Sequence, residues 1–483
     1  MGKVFIIGAG FSKAIFSAMP TTDELGKAII ESLEKKGRPI PPETRQGHFE
    51  EWLSRLAVEQ PDLREDENYN NRGHFASIAG EIGEVLAQYE ESVLIDDNWL
   101  TGWLNRFVTL THVCRATVIS YNYDTLIERA TDMVQPLDFV HNGMPVLSSD
   151  AIKQFPQSIS GPQNPPYSTF RLLKMHGSLD CWWVPGDITG GTISRLPLDG
   201  SEHPNQNQNQ YTKDPRKLFF PSDAIGMPQE SESDFRSRII PGRSRFIIPP
   251  TALKSAYYNN PITRELWIQA REAIRNATEI CIIGYSLPRT DFVTQGMLKE
   301  SVNKEAKISV VNICPEPVRA ELERSKIAEP NNIAVVHDIK DWISEQENVL
   351  SSQTPAKVSN IFSQNDKKFR GIAINWGKDQ FSPVLNVEFS GDTLKLGIEG
   401  FFDPRPLLIL ARYGGRTEED GEVRDRPITM EQFFSVIGDK MPKSIVVNYG
   451  STDYQMLDVD FVTPEPASHA WLVFVVGNAP HKS

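Results

Sequence analysis

"KVFIIGAGFSKAIFSAMPTTDEL" (residues 3–25) opens with a short apolar run, Val4-Phe5-Ile6-Ile7, that ends at Gly8. A continuous run of this length, without polar alternation, predicts a strand buried on both faces at the centre of a parallel sheet. Gly8-Ala9-Gly10 then predicts a tight turn whose backbone approaches a ligand closely. Thr21 and Glu24 have the spacing of a capping box, and Leu25, Ile29 and Leu33 recur at helical spacing behind them. The expected opening is strand, glycine loop, helix. Its glycine spacing differs from the dehydrogenase fingerprint, because Lys13 takes the third glycine's place. No acidic residue closes a second strand about 20 residues on, where a ribose contact would need it.

Working outward, "ATVIS" (116–120), "RLLKM" (171–175), "EICIIG" (279–284) and "ISVVN" (308–312) read as further strands of the same sheet. Leu266, Ala270, Ala273 and Ala277 have the helical spacing of a crossover between parallel strands. Residues 43–110 read as an inserted helical module, with Phe49, Trp52, Leu53 and Leu56, then Ile78, Ile82, Val85, Leu86 and Tyr89, then Trp99, Trp103 and Phe107 as its packing residues. Residues 184–245 are rich in Gly, Pro, Asn and Gln, with "HPNQNQNQ" at 203–210, and predict a flexible insertion. Residues 346–368 are polar and predict a linker. Beyond it, Val384, Leu385, Val387 and Phe389 face Leu394, Leu396 and Ile398 across Gly391-Asp392 as a hairpin, and "SIVVNY" (444–449) and "WLVFVVG" (471–477) add strands. The expected fold is α/β: a Rossmann-like doubly wound parallel sheet over residues 1–345, followed by a β-rich C-terminal domain over 369–483.

A chain of 483 residues exceeds the roughly 250–300 at which single cores stop growing, which agrees with two domains. The net charge of −13 opposes the counterion-release term behind nonspecific nucleic-acid affinity, so no direct nucleic-acid binding is expected. Cys114, Cys181, Cys281 and Cys314 are far apart, fit no zinc or redox spacing, and read as reduced, buried thiols. No stretch approaches the roughly 20 apolar residues of a membrane span, and no signal-peptide core is seen at the start, so a cytoplasmic protein without membrane contact or metal is expected.

In an open parallel sheet the loops beyond the carboxyl ends of the strands form the ligand crevice. That rule singles out Gly8, Ala9, Gly10 and Ser12 after the first strand, and Asn122 and Asp124 in "VISYNYDTLIERA" (118–130). It also singles out His176 in "KMHGSLD" (174–180), Gly284 and Ser286 in "IIGYSLPRTD" (282–291), and Asn312. Taken alone, Asp124 is equally a helix cap. A histidine at such a strand end is placed to take or give a proton near neutral pH.

The succession Gly-Ala-Gly-x-Ser, Asn-x-Asp, His-Gly, Gly-x-Ser, late Asn resembles the sirtuin family, specifically its NAD-cleaving branch in bacterial antiphage defence. The resemblance covers residues 1–345. It implies that Gly8, Ala9, Gly10 and Ser12 hold the pyrophosphate of NAD, that Asn122 and Asp124 face the nicotinamide and its ribose, that His176 is the catalytic histidine, and that Gly284, Ser286 and Asn312 line the adenosine end. Three features depart from the family's deacylases: Tyr121 replaces the glutamine before the motif Asn, Thr21-Thr22 replaces a Phe-Arg pair, and the four zinc cysteines are missing. The expected function is therefore an NAD+ hydrolase, with NAD as substrate, releasing nicotinamide and linear or cyclic ADP-ribose. A homo-oligomer and an activating partner protein or phage trigger are expected with it. The alternatives are an NAD-dependent protein deacylase and a non-catalytic sensor of NAD or ADP-ribose.

Overall fold

The computed structural model describes residues 2–42, 45, 47–95, 103–134, 170–184, 194–195, 244–252, 254–258, 261–364, 369–375, 381–398, 430–437, 442–449, 452–462 and 470–480. The chain begins with β1 (Gly2–Ile7), α1 (Ala9–Ile15) and α2 (Thr22–Lys35). The helical insertion follows as α3 (Phe49–Ala57), α4 (Glu65–Ile95) and α5 (Trp103–Val113). The chain continues through β2 (Thr117–Ser120), α6 (Leu126–Val134), β3 (Arg171–Lys174), β4 (Gly177–Trp183), β5 (Ser194–Arg195), β6 (Ser244–Ile247), α7 (Ser255–Tyr258) and α8 (Pro261–Arg275). It completes the first sheet with β7 (Ala277–Ile283), α9 (Phe292–Ser301), β8 (Lys307–Val311), α10 (Glu316–Arg324) and β9 (Ile333–Val336).

Six of these strands form one sheet in the order β3-β2-β1-β7-β8-β9, every pair parallel. The strand order reverses between β1 and β7, and this is the doubly wound topology expected from the sequence. Burial on both faces explains the unbroken apolar run of β1. Val4 and Ile6 pack with Leu266, Ala270 and Ile274 of α8, while Phe5 and Ile7 pack with Phe107 of α5 and with Trp342 and Ile343 further on. Ala277, expected at the end of the crossover helix, instead starts β7, because α8 stops at Arg275. The last strand, β9, has no counterpart among the expected strands.

The insertion helices have their own core, in which Leu25, Ile29 and Leu33 of α2 meet Phe49, Trp52, Leu53 and Leu56 of α3 and Ile78, Ile82 and Val85 of α4. Trp99 and most of the 184–245 segment, including its Asn/Gln-rich centre, lie outside the described residues. The described edges of that segment pair with β4 in a small sheet ordered β5-β4-β6. Of the four cysteines, Cys181 and Cys281 are buried and Cys114 is half-buried. Cys314 is exposed, contrary to expectation, because it lies beyond the end of β8. Among the described residues no helix is long and apolar enough to cross a membrane, and no group of three or more His, Cys, Asp or Glu side chains is placed to hold a metal ion.

The polar stretch expected as a linker is helical instead. α11 runs from Ile339 to Gln364 across Pro355, and residues 365–368 lie outside the described residues. Its buried residues are Trp342, Ile343, Glu347, Leu350, Ser351, Thr354, Pro355 and Val358. The spacing is helical but three of the eight are polar and one is proline, so the apolar pattern is faint. Glu347 is satisfied by Arg106 of α5, whose Nε and Nη2 donate to its two oxygens at 3.1 and 2.6 Å. Lys357 of α11 pairs with the buried Asp458.

The remaining strands are β10 (Phe369–Asn375), β11 (Phe381–Pro383), β12 (Asn386–Ser390), β13 (Thr393–Ile398), β14 (Ser444–Tyr449), β15 (Thr452–Val462) and β16 (Ala470–Pro480), with α12 (Met430–Ile437) before β14. They form a mixed sheet ordered β11-β10-β16-β15-β14-β13-β12, and the β12–β13 hairpin aligns Val387 with Leu396 and Phe389 with Leu394. Val358 of α11 belongs to this sheet's core, and Leu457 of β15 belongs to the core of the first domain.

Candidate functional site

The loops at the carboxyl ends of β1, β2, β3, β7 and β8 surround a cavity of about 760 Å³ at the point where the strand order reverses. This is within the usual range for small-molecule and cofactor sites, about 300–1,000 Å³. Gly8, Ala9, Gly10, Ser12, Asn122, Asp124, His176, Gly284, Ser286 and Asn312 all line it. Parallel strands bring these loops to one edge although they are far apart in sequence.

The glycines are explained first by packing. Gly10 N–H donates to the Gly284 carbonyl at 2.9 Å, and Gly8 N–H donates to the Ile283 carbonyl at 3.2 Å. A Cβ on Gly8 would stand 2.7 Å from the Tyr285 ring, and one on Gly10 would stand 2.8 Å from the Gly284 oxygen. Gly284 itself has φ +58°, and a Cβ there would stand 2.2 Å from Phe11 N. The β1 and β7 loops thus interlock backbone to backbone. Leu287, buried and at φ 51°, gives the β7 loop a second left-handed residue. Gly177, at φ +82°, admits the Phe246 carbonyl of β6, which a Cβ would meet at 1.9 Å. The close approach at Gly177 is thus made by the protein's own backbone.

Inside the cavity wall Ser12, Asn122 and Asp124 form one buried network. Ser12 Oγ donates to Asp124 Oδ2 at 2.6 Å and accepts from Asn122 Nδ2 at 2.8 Å, while Asn122 Nδ2 also donates to the Gly8 carbonyl at 2.9 Å. Both amide hydrogens of Asn122 are therefore committed, and the group it has left to offer a ligand is its carbonyl Oδ1. The loop is anchored from behind by the buried Lys174, which donates to the Asp124 carbonyl and pairs with Glu128 at 3.3 Å. Asp124 Oδ1 also accepts from Leu126 N–H at 3.3 Å, so its capping role and its role in the cavity wall coexist.

His176 occupies the opposite chemical setting, a buried ring edge-on to Tyr121 at 5.1 Å, with Tyr121 stacked on Tyr285 at 4.7 Å. Its Nε2 is 3.2 Å from Lys254 Nζ. Burial, and then the Lys254 charge, push its pKa down to about 3 from the ordinary 6.5, against a smaller upward pull from Asp291. The imidazole is therefore neutral at physiological pH. Asp291 stands 3.5 Å from Lys254 and accepts the Tyr285 hydroxyl at 2.8 Å. Burial alone would raise the Asp291 carboxyl, but the Lys254 charge and the Tyr285 hydroxyl hold it below the usual range. Glu50 of α3 also lines the cavity and is raised by burial.

Lys254, Asp291 and Glu50 line the cavity without being singled out by any sequence motif. Asp291 closes the "IIGYSLPRTD" stretch and was within reach of the strand-end rule. Lys254 follows β6 with no motif around it, and Glu50 looks like any acidic residue in the first turn of an amphipathic helix. Asn312 is half-buried with its Oδ1 accepting from Cys314 N–H at 3.3 Å, and Ser286 is exposed at the cavity mouth.

No protein-family model matches the chain, and no curated protein does. The solved structures to which it is similar include a Sir2 enzyme described for its mechanism and regulation, at 12% identity over 72% of this chain and 92% of that one, with a TM-score of 0.28. They also include Sir2 with a p53 peptide and NAD+, at 11% identity, the same two coverages and a TM-score of 0.29. A third is Sir2 with an inhibitor, 2′-O-acetyl-ADP-ribose and a deacetylated p53 peptide, at 12% identity over 72% of this chain and 93% of that one, with a TM-score of 0.27. At these values the likeness assigns this chain neither a substrate nor a reaction.

Proposed function

We propose that the cavity binds NAD and cleaves its nicotinamide–ribose bond, releasing nicotinamide and linear or cyclic ADP-ribose. The observation that supports this reading is that Asn122, Asp124 and His176 line the same cavity as the Gly8–Ser12 and Gly284–Ser286 loops. Scission of that bond builds positive charge on the ribose, and a site for it needs oriented dipoles and a fixed nucleophile. Asn122 suits this role because both its amide hydrogens are committed, which leaves its carbonyl oxygen, a negative dipole end, as the group it offers to the reacting carbon or its water. Asp124, locked by Ser12, adds a carboxylate beside it. His176 serves as the base toward a ribose hydroxyl or water, a role worth about 10²–10⁴ in rate.

The missing zinc cysteines and the replacement of the Gln and Phe-Arg positions favour hydrolysis over deacylation. We further assign the protein to the cytoplasm and to antiphage defence, as an oligomeric effector whose NAD consumption waits on a trigger. Incubation with NAD, with and without an acylated peptide, followed by mass spectrometry of the products, tests the reading. Asn122→Ala and His176→Ala are expected to abolish nicotinamide release in folded protein. Strict dependence on acylated peptide identifies a deacylase, and binding without turnover under every condition identifies a sensor.

A further inference from the structure

The cluster beside His176 holds a group that the proposed chemistry leaves without a role. Lys254 lies between β6 and α7 with a side chain 3% exposed, its ammonium 3.2 Å from His176 Nε2 and 3.5 Å from Asp291 Oδ1. An ammonium has three donors and no acceptor, so the contact fills the imidazole's lone pair and leaves the ring proton on Nδ1. An imidazole in that state takes no proton from a third group. The same ammonium has an alternative seat, because Asp291 is fixed by Tyr285 and offers its other oxygen to Lys254. We propose that Lys254 is a positioning residue that masks His176, filling its acceptor nitrogen in the resting protein and releasing it only when the ammonium moves wholly onto Asp291. The releasing half rests on the reading of His176 as the base in NAD cleavage, and the masking half does not.

The charged and titratable groups facing the imidazole are Lys254, Asp291 from the β7 loop, and the rings of Tyr121 and Tyr123 from the β2 loop. Burial and Lys254 oppose protonation while Asp291 favours it, with Lys254 the stronger of the two charges. Removing Lys254 alone leaves Asp291 acting on the ring, and removing both leaves burial alone. The onset of His176 protonation should therefore be at the lowest pH in the wild type, higher in Lys254→Met/Asp291→Asn, and highest in Lys254→Met.

The test is histidine-selective isotope labelling and NMR titration of the full chain, with the His176 resonance identified by its loss in His176→Gln. The double variant keeps the comparison with the wild type should Lys254→Met fail to fold around an unpaired Asp291. The expected ordering supports masking, and a His176 titration that is the same in all folded proteins overturns it. In parallel, trigger-free nicotinamide release is expected to rise about 10-fold or more in the double variant, as for a base made available. Release that falls instead makes Lys254 part of the working machinery and overturns the mask. A shifted titration with no release from any protein supports masking and defeats the NAD-cleaving reading.

Discussion

Ser12→Ala removes the hinge of the network that holds Asn122 and Asp124. Ser12 Oγ makes one hydrogen bond to a carboxylate at 2.6 Å and one from an amide at 2.8 Å, both buried. A hydrogen bond to a charged group is worth about 1.5–3 kcal/mol and a neutral one about 0.5–1.5, so the substitution should cost about 2–4 kcal/mol. A double-mutant cycle with Asp124→Ala isolates the shared bond. Urea unfolding followed by tryptophan fluorescence on the wild type, both single variants and the double should give a coupling of about 1.5–3 kcal/mol. Additivity within about 0.5 kcal/mol would mean that the two side chains do not depend on each other. In that case Ser12 would not hold Asp124 in place, and the carboxylate beside Asn122 would have no fixed position in the cavity wall.

Two further outcomes follow from the site. Gly284→Ala should be severely destabilising, because φ +58° strains any L residue by about 1–3 kcal/mol and the new Cβ would stand 2.2 Å from Phe11 N; a melting temperature within about a degree of the wild type would show that the loops do not interlock. Acid should also destabilise the fold through His176, whose folded pKa of about 3 lies below its ordinary 6.5. The unfolded chain takes up the proton first, so this contribution is complete above pH 6.5 and is lost as pH falls toward 3. Between pH 7.5 and 5 the wild type should lose about 2 kcal/mol more than His176→Gln, and parallel stability curves for the two would contradict the buried neutral imidazole.

Local signals in the sequence carried the architecture because they are set by near neighbours. The apolar run of β1, the turn glycines, the Thr21–Glu24 spacing and the β12–β13 hairpin each depend on residues a few positions apart. The strand-end rule picks out loops that line one cavity, since parallel strands leave their carboxyl ends on a common edge. What the sequence left open depends on pairs joined only by folding: Ser12 with Asp124, 112 positions apart, and Lys254 with His176, 78 apart. The partner of each glycine belongs to the same class, as Gly10 meets Gly284 and Gly177 meets Phe246. α11 was hidden for a related reason, because its buried stripe includes Glu347, Ser351 and Thr354. Thr354 bonds the Leu350 carbonyl one turn back, but the charged Glu347 enters the interior because a distant residue, Arg106, satisfies it. No window of local sequence contains that partner, and so only the tertiary structure decided where this carboxylate went.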